Sequence, residues 1–314
     1  MQHAIATTRE DALQRRVRLN PRSRWLDAIF RLFVKACGGI VLLTTLLLIG
    51  FLARSGIVGM SEVGILPLLI GTRWKPEDHL YGGLPLILGT FASALGAAAF
   101  GATPAVLAAV WLTEFSPKIV QVLYRRLMEI AAAVPSVVYG WLALTYLVPV
   151  MGRIARAIYG GDSDVGGEGL ASSATLLGVM IAPTVLLLSV DSLSRVPPGL
   201  REASAALGAS AWQTGFRVVM PYAWRGLLVA VFFGFARAAG ETMAVQMVIG
   251  GARVIPANMF RPTTTISSQI VMDMQNARPG TPASDALFSM ALILLVVSVG
   301  IVLVTRLLSR PVRA

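Results

Sequence analysis

Charge is scarce in this sequence. Only 14% of its 314 residues are Asp, Glu, Lys or Arg, against about a quarter in an average soluble chain. Hydrophobic residues make up 55% and the mean hydropathy is +0.71, so a soluble globular domain is excluded and lipid is the expected solvent. A single cysteine, Cys37, cannot make an internal disulfide. Two histidines, His3 and His79, leave too few soft ligands for a zinc or copper centre. None of the three lysines, Lys35, Lys75 and Lys118, follows a glycine, so there is no G-x-x-x-x-G-K-[ST] phosphate loop and any ATP is hydrolysed on another polypeptide. With no H-E-x-x-H or G-x-S-x-G pattern, nothing supports an intramembrane enzyme. No catalytic residue, metal site or bound cofactor is expected of this chain.

What is present is a series of apolar stretches. Six of them, at 36–53, 84–112, 130–151, 170–190, 227–250 and 286–305, come near the ~20 residues a transmembrane helix needs. The first follows 35 residues instead of a short basic leader and lacks a clear A-x-A site, so it reads as a retained span. Basic loops fix the expected orientation. The arm before the first span carries +5, the loop after the second +1, the loop after the fourth +2 and the tail +3, which accounts for the whole net charge of +11. Both termini are therefore expected in the cytoplasm, and the basic balance needs no nucleic acid. The arm at 1–35 reads as such an anchor or as a docking segment for anionic lipid or a protein. The expected organisation is this arm followed by an all-α, six-helix membrane domain at 36–314.

Between the fourth and fifth spans, residues 196–221 read as helix, turn, helix. Pro197 and Pro198 open it, Gly208 suits a left-handed turn, Ser210 can cap a second short helix and Pro221 stops it. Two readings fit the residues alone: a connector lying on the membrane through Leu200, Leu207, Trp212, Phe216 and Val219, or a docking element. The spacing resembles the E-A-A-x3-G-x9-I-x-L-P loop of ABC importer permeases, with Glu202, Ala203 and Ser204, then Gly208, then Val218, Val219, Met220 and Pro221. That resemblance implies a type I ABC importer permease fold and makes Glu202, Ala203, Gly208 and Pro221 the contact with an ATP-hydrolysing subunit. One coupling loop per chain implies a second permease beside it.

Further stretches are similar to the permeases of phosphate-specific (Pst) importers, of the PstC type. They are Trp74-Lys75-Pro76 with Gly82-Gly83-Leu84-Pro85, Ala133-Val134-Pro135-Ser136, Met180-Ile181-Ala182-Pro183-Thr184, and the run from Ala236 through Gly240-Glu241-Thr242 to Val245. The resemblance implies an inner-membrane, multi-pass permease for inorganic phosphate. It would work with a PstA-type permease, two PstB-type ATP-binding subunits and a periplasmic PstS-type receptor.

The residues themselves agree with an anion path. Arg237 is the only basic residue in an expected span, and a guanidinium binds two phosphate oxygens at once. With the fifth span read as one helix, Glu241 lies at i+4 and is expected to neutralise Arg237 on the same face, with Thr242 beside them along the substrate path. Thr263, Thr264 and Thr265 read either as the outer mouth of that path or as an ordinary hydroxyl-rich loop. Pro135 and Pro183 are expected inside spans, as kinks or merely tolerated. A proton-coupled secondary anion carrier, or an ABC permease for another oxyanion, competes with the phosphate reading; the carrier leaves the 196–221 loop unexplained.

Overall fold

The computed structural model describes residues 21–160 and 166–308. Most of the basic arm, Asp162, and the tail arginines Arg310 and Arg313 lie outside the described residues. Two units divide at Arg54 and Ser55. The described part of the first is a single helical stretch of α1 (Pro21–Val63), on which Leu26, Phe33, Leu42 and Leu47 are all exposed. From Ala36 to Ala53 the helix carries no charged residue and its apolar side chains up to Phe51 are exposed, which suits hydrocarbon.

The second unit is built almost wholly of helices. After the end of α1 come α2 (Ile65–Ile70), α3 (Leu84–Ala97), α4 (Thr103–Glu114), α5 (Lys118–Ala133), α6 (Ser136–Leu142) and α7 (Val148–Tyr159). They are followed by α8 (Leu170–Ser194), α9 (Pro198–Ala206), α10 (Ala211–Thr214), α11 (Met220–Ala239), α12 (Met243–Gln246), α13 (Ile266–Met274) and α14 (Pro282–Leu308). The all-α expectation holds, and among the described residues one small hairpin is added to it. β1 (Trp74–Lys75) and β2 (Leu80–Tyr81) pair antiparallel around a single 3-10 turn at Pro76–Asp78. Trp74 is fully buried and meets Tyr81 edge-on, so the hairpin is held by its aromatic face more than by its two-residue ladder. Burial also pushes the Tyr81 phenol above its ordinary value, which keeps it neutral.

Among the described residues, six helical stretches are long and apolar enough to cross a membrane: Trp25–Val63, Leu84–Glu114, Ser136–Tyr159, Leu170–Ser194, Ala211–Ala239 and Pro282–Leu307. The count matches the sequence, while several boundaries move, most of all at both ends of the first, third and fifth spans. The third span begins at Ser136 because Pro135 holds Val134 extended (ψ 130°), which ends α5 as a separate helix. Pro135 is therefore a boundary residue, whereas Pro183 sits within α8. The fifth span runs from Ala211 to Ala239 and stops eleven residues short of the expected Gly250.

Among the described residues, three spans contain a wide π turn, and each turn stands just ahead of a proline. Residues 98–102 precede Pro104, 143–147 precede Pro149, and 215–219 precede Pro221. In each case the residue before the proline donates its N–H to the carbonyl five residues back: Thr103 to Ala98, Val148 to Ala143, Met220 to Gly215. A proline has no N–H and its ring collides with the carbonyl four residues earlier, so a widened turn relieves the clash without opening the helix. Pro221 thus does not stop the second short helix. The helix passes through it into the fifth span.

The core forms around α8, whose Leu177, Ile181, Val185 and Leu193 are buried against α3, α4 and α11. Close approach depends on glycine. A Cβ at Gly101 would stand 2.1 Å from the Gly178 carbonyl oxygen, and one at Gly89 would stand 2.0 Å from that of Thr264. Small residues allow such crossings in lipid, where packing replaces the hydrophobic effect between helices. Gly101→Ala is expected to cost about 1–3 kcal/mol by overpacking and to lower the thermal midpoint in detergent. Gly300→Ala, where a Cβ meets nothing within 4 Å, should leave it unchanged.

Candidate functional site

The fifth span ends at a feature the hydropathy pattern conceals. α11 closes at Ala239, Gly240 to Thr242 form a break, and α12 is a single turn. The expected i, i+4 pair is therefore corrected: helical spacing does not extend from Arg237 to Glu241, and no ion pair joins them among the described residues. Arg237 instead reaches across to α8, where its Nη1 donates to Thr184 Oγ1 at 2.9 Å. Glu241 turns to the backbone, and its Oε1 accepts the Ala244 N–H at 3.4 Å, a weak cap on the start of α12. Thr242 Oγ1 donates to the Gly240 carbonyl at 3.3 Å, within the break itself. Arg237 is half-buried, with one donor on a neutral hydroxyl and no carboxylate within 4.0 Å among the described residues.

The threonine run is buried and bonded internally, which corrects its reading as an open mouth. Thr263 and Thr264 are 0% exposed and Thr265 is 3%. Thr263 Oγ1 donates to the Val254 carbonyl, and Thr264 Oγ1 bonds to Ser268 Oγ at 3.0 Å. Thr265 caps α13 in a reciprocal box with Ser268. Thr90 of α3 accepts the Ile266 N–H at 2.9 Å, and Ser267 Oγ donates to the Glu241 carbonyl at 2.7 Å. The run thus ties α13 to α3 and to the break after α11, and in this way Glu241 and the threonines are brought together while Arg237 is left apart.

Up to Thr214 the 196–221 segment has the expected helix, turn, helix form. α9 spans Pro198–Ala206, Gly208 turns with φ +80°, and Ser210 caps α10 in a box with Gln213. Ser204 and Thr214 join the two short helices through a buried 2.9 Å hydroxyl bond, so the serine that departs from the E-A-A pattern serves as a fastener. The supposed apolar face divides: Val219 is buried and Leu200 and Phe216 are partly so, whereas Leu207 and Trp212 are exposed along with Glu202, Ala203 and Gly208. Sequence reasoning missed what holds this hairpin down. Arg201 pairs with Glu114, the last residue of α4, at 2.9 Å, and the Glu114 side chain is only 7% exposed. Both are among the loop charges from which the orientation is expected. Their opposite sign, with Glu114 directly after a long apolar run, was the available signal.

Apolar helices with a break just beyond Arg237 of the fifth span, and a rigid exposed hairpin between the fourth and fifth spans, fit a multi-pass membrane permease. The sequence comparisons are specific about its kind. Residues 101–314 match the family described as the binding-protein-dependent transport system inner membrane component, and the chain belongs to that family and to the inner membrane. It is 36% identical over 293 residues to the probable ABC transporter permease protein YqgH of Bacillus subtilis, covering 92% of this chain and 93% of the relative. It is 30% identical over 324 residues to the phosphate transport system permease protein PstC of Mesorhizobium japonicum, covering 98% and 95%. The PstC of Haemophilus influenzae is 32% identical over 255 residues, covering 76% and 79%. In fold the chain is similar to an inward-facing structure of the MetNI methionine ABC transporter, with a TM-score of 0.53, 19% identity, and coverage of 76% of this chain and 100% of that one.

The buried capping of α13 has a measurable consequence. Thr265→Ala should cost about 1 kcal/mol, as loss of an N-cap usually does, and should speed amide exchange in α13, while Thr265→Ser retains the cap and the protection.

Proposed function

We propose that this chain is one of two permeases in an ATP-driven importer of inorganic phosphate. The observation that carries the reading is Arg237, a guanidinium inside the fifth span whose recorded contact is the Thr184 hydroxyl. A cation held within a membrane segment without a carboxylate suits an anionic cargo, because a tetrahedral oxyanion can accept several of its planar donors at once. Glu241 and Thr242 stand at the adjoining break, where hydroxyl and backbone groups are not committed to a continuous helix. The similarity to PstC proteins supports phosphate in particular among oxyanions. The same similarity supports a PstA-type permease as the other half of the path, two PstB-type ATPases beneath it and a PstS-type receptor outside. The hairpin at 196–221 contacts the ATPase through Glu202, Ala203 and the Gly208 turn, and Pro221 carries its second arm into the fifth span. Both termini and this hairpin face the cytoplasm.

Labelled phosphate uptake, with sulfate and molybdate as competitors, in cells lacking and regaining the gene tests the substrate. Competition by sulfate equal to that by phosphate overturns the phosphate reading. Arg237→Gln should lower uptake about tenfold or more, in line with loss of a hydrogen bond from a charged group, at unchanged membrane level. Since no ion pair joins them, Glu241→Gln should add its own loss in the double variant; recovery of uptake there would instead demand a direct Arg237–Glu241 pair. Gly208→Val places a β-branched residue at φ +80°. It should reduce both copurified ATPase and uptake. In a Cys37→Ser background, a cysteine at Glu77 should react with an impermeant thiol reagent from outside and one at Ala206 should not.

A further inference from the structure

We propose that the Glu114–Arg201 pair is the strut through which movement of the α9–α10 hairpin reaches the second span. The inference rests on the reading of that hairpin as the ATPase contact and goes on to name how its movement is passed on. The hairpin is joined by peptide bonds to α8 at one end and, through the wide turn at 215–219, to α11 at the other. Displacement therefore reaches the fourth and fifth spans directly. The second span, α3 to α4, has no such link, and Arg201 supplies one.

One guanidinium gathers three elements. Arg201 Nη2 and Nε donate to both carboxylate oxygens of Glu114, at 2.9 Å and 3.2 Å. Its Nη2 also donates to the Leu193 carbonyl in the last turn of α8 at 3.1 Å, and its Nη1 to the carbonyl of Val196 just beyond that helix at 2.8 Å. A fork with two oxygens in its grip fixes orientation as well as distance, which an ammonium cannot do. The second arm meets the same residue: a Cβ built on Gly215 would lie 3.4 Å from Glu114 Cγ. Trp212, stacked on Phe216 with ring centroids 4.0 Å apart, approaches Phe115 beside Glu114. With Ser204 bonded to Thr214, both arms move as one piece and press on the end of α4. From there α4 runs through its wide turn to Gly101, where the second span touches Gly178 of α8.

The test is made on the purified complex, with its second permease, ATPases and receptor, reconstituted in liposomes, reading phosphate imported per ATP hydrolysed. Glu114→Gln and Arg201→Lys should each lower that ratio about fivefold or more, the usual floor of a coupling free energy, in complexes that retain their ATPase. A covalent substitute separates coupling from mere stability. The Cβ of Glu114 lies 3.7 Å from a Cβ built on Gly215, within the spacing of a disulfide. In a Cys37→Ser background, Glu114→Cys with Gly215→Cys should keep the ratio near wild type when oxidised and drop to the Glu114→Gln level when reduced. An unchanged ratio in assembled Glu114→Gln and Arg201→Lys complexes, or equal ratios for the oxidised and reduced cysteine pair, overturns the strut. A wild-type complex that retains no ATPase or imports no phosphate refutes the underlying functional reading instead.

Discussion

In hydrocarbon, a backbone N–H or carbonyl has no water to turn to, and nearly every feature of this chain follows from that constraint. It makes the spans helical and determines how their interruptions are handled. Pro104, Pro149 and Pro221 each lie within a continuous helical stretch, and in each the turn ahead of the proline widens so that the preceding N–H still finds a carbonyl. Where the helix does break, at Gly240 to Thr242, nearby side chains take over. Glu241 accepts a backbone N–H of α12, and Ser267 donates to the Glu241 carbonyl.

Breaking the helix there sets Arg237 and Glu241 to separate tasks. A continuous helix would have brought the two charges together and let each cancel the field of the other. With the break, the carboxylate serves the backbone and the guanidinium rests on Thr184, a neutral partner. A well-desolvated charge pair lies elsewhere, at Glu114 and Arg201, where both carboxylate oxygens and the carbonyls of Leu193 and Val196 accept from one guanidinium. Excellent geometry of that kind is what allows a buried pair to offset the loss of water.

Composition and hydropathy made the six spans legible, and local chemistry made the 196–221 hairpin legible. Gly208 and Ser210 announce a left-handed turn and a cap within three residues; the missing Cβ of the one and the hydroxyl of the other act accordingly. The break after Ala239 was hidden because Thr242 to Gly250 is as apolar as the helix before it; hydropathy records partition into lipid and says nothing of whether the backbone continues. The threonine run was misjudged for a related reason. Hydroxyls suggest solvent when counted, yet Thr264, Thr265 and Ser268 satisfy one another and their helix end, and so can be fully buried. Glu114 and Arg201 are 87 positions apart, and pairing at that range depends on how α4 and α9 pack, which no local pattern records.

The wide turns have a geometric consequence for every side chain beyond them. A π turn holds one residue more than an α turn, and one residue is about 100° of rotation about the axis. The two halves of the second, third and fifth spans are thus out of phase with each other: a stripe of small residues that faces a neighbouring helix below the turn faces elsewhere above it. Each of these helices can serve different neighbours at its two ends, much as two shorter helices would, while crossing the bilayer without a loop.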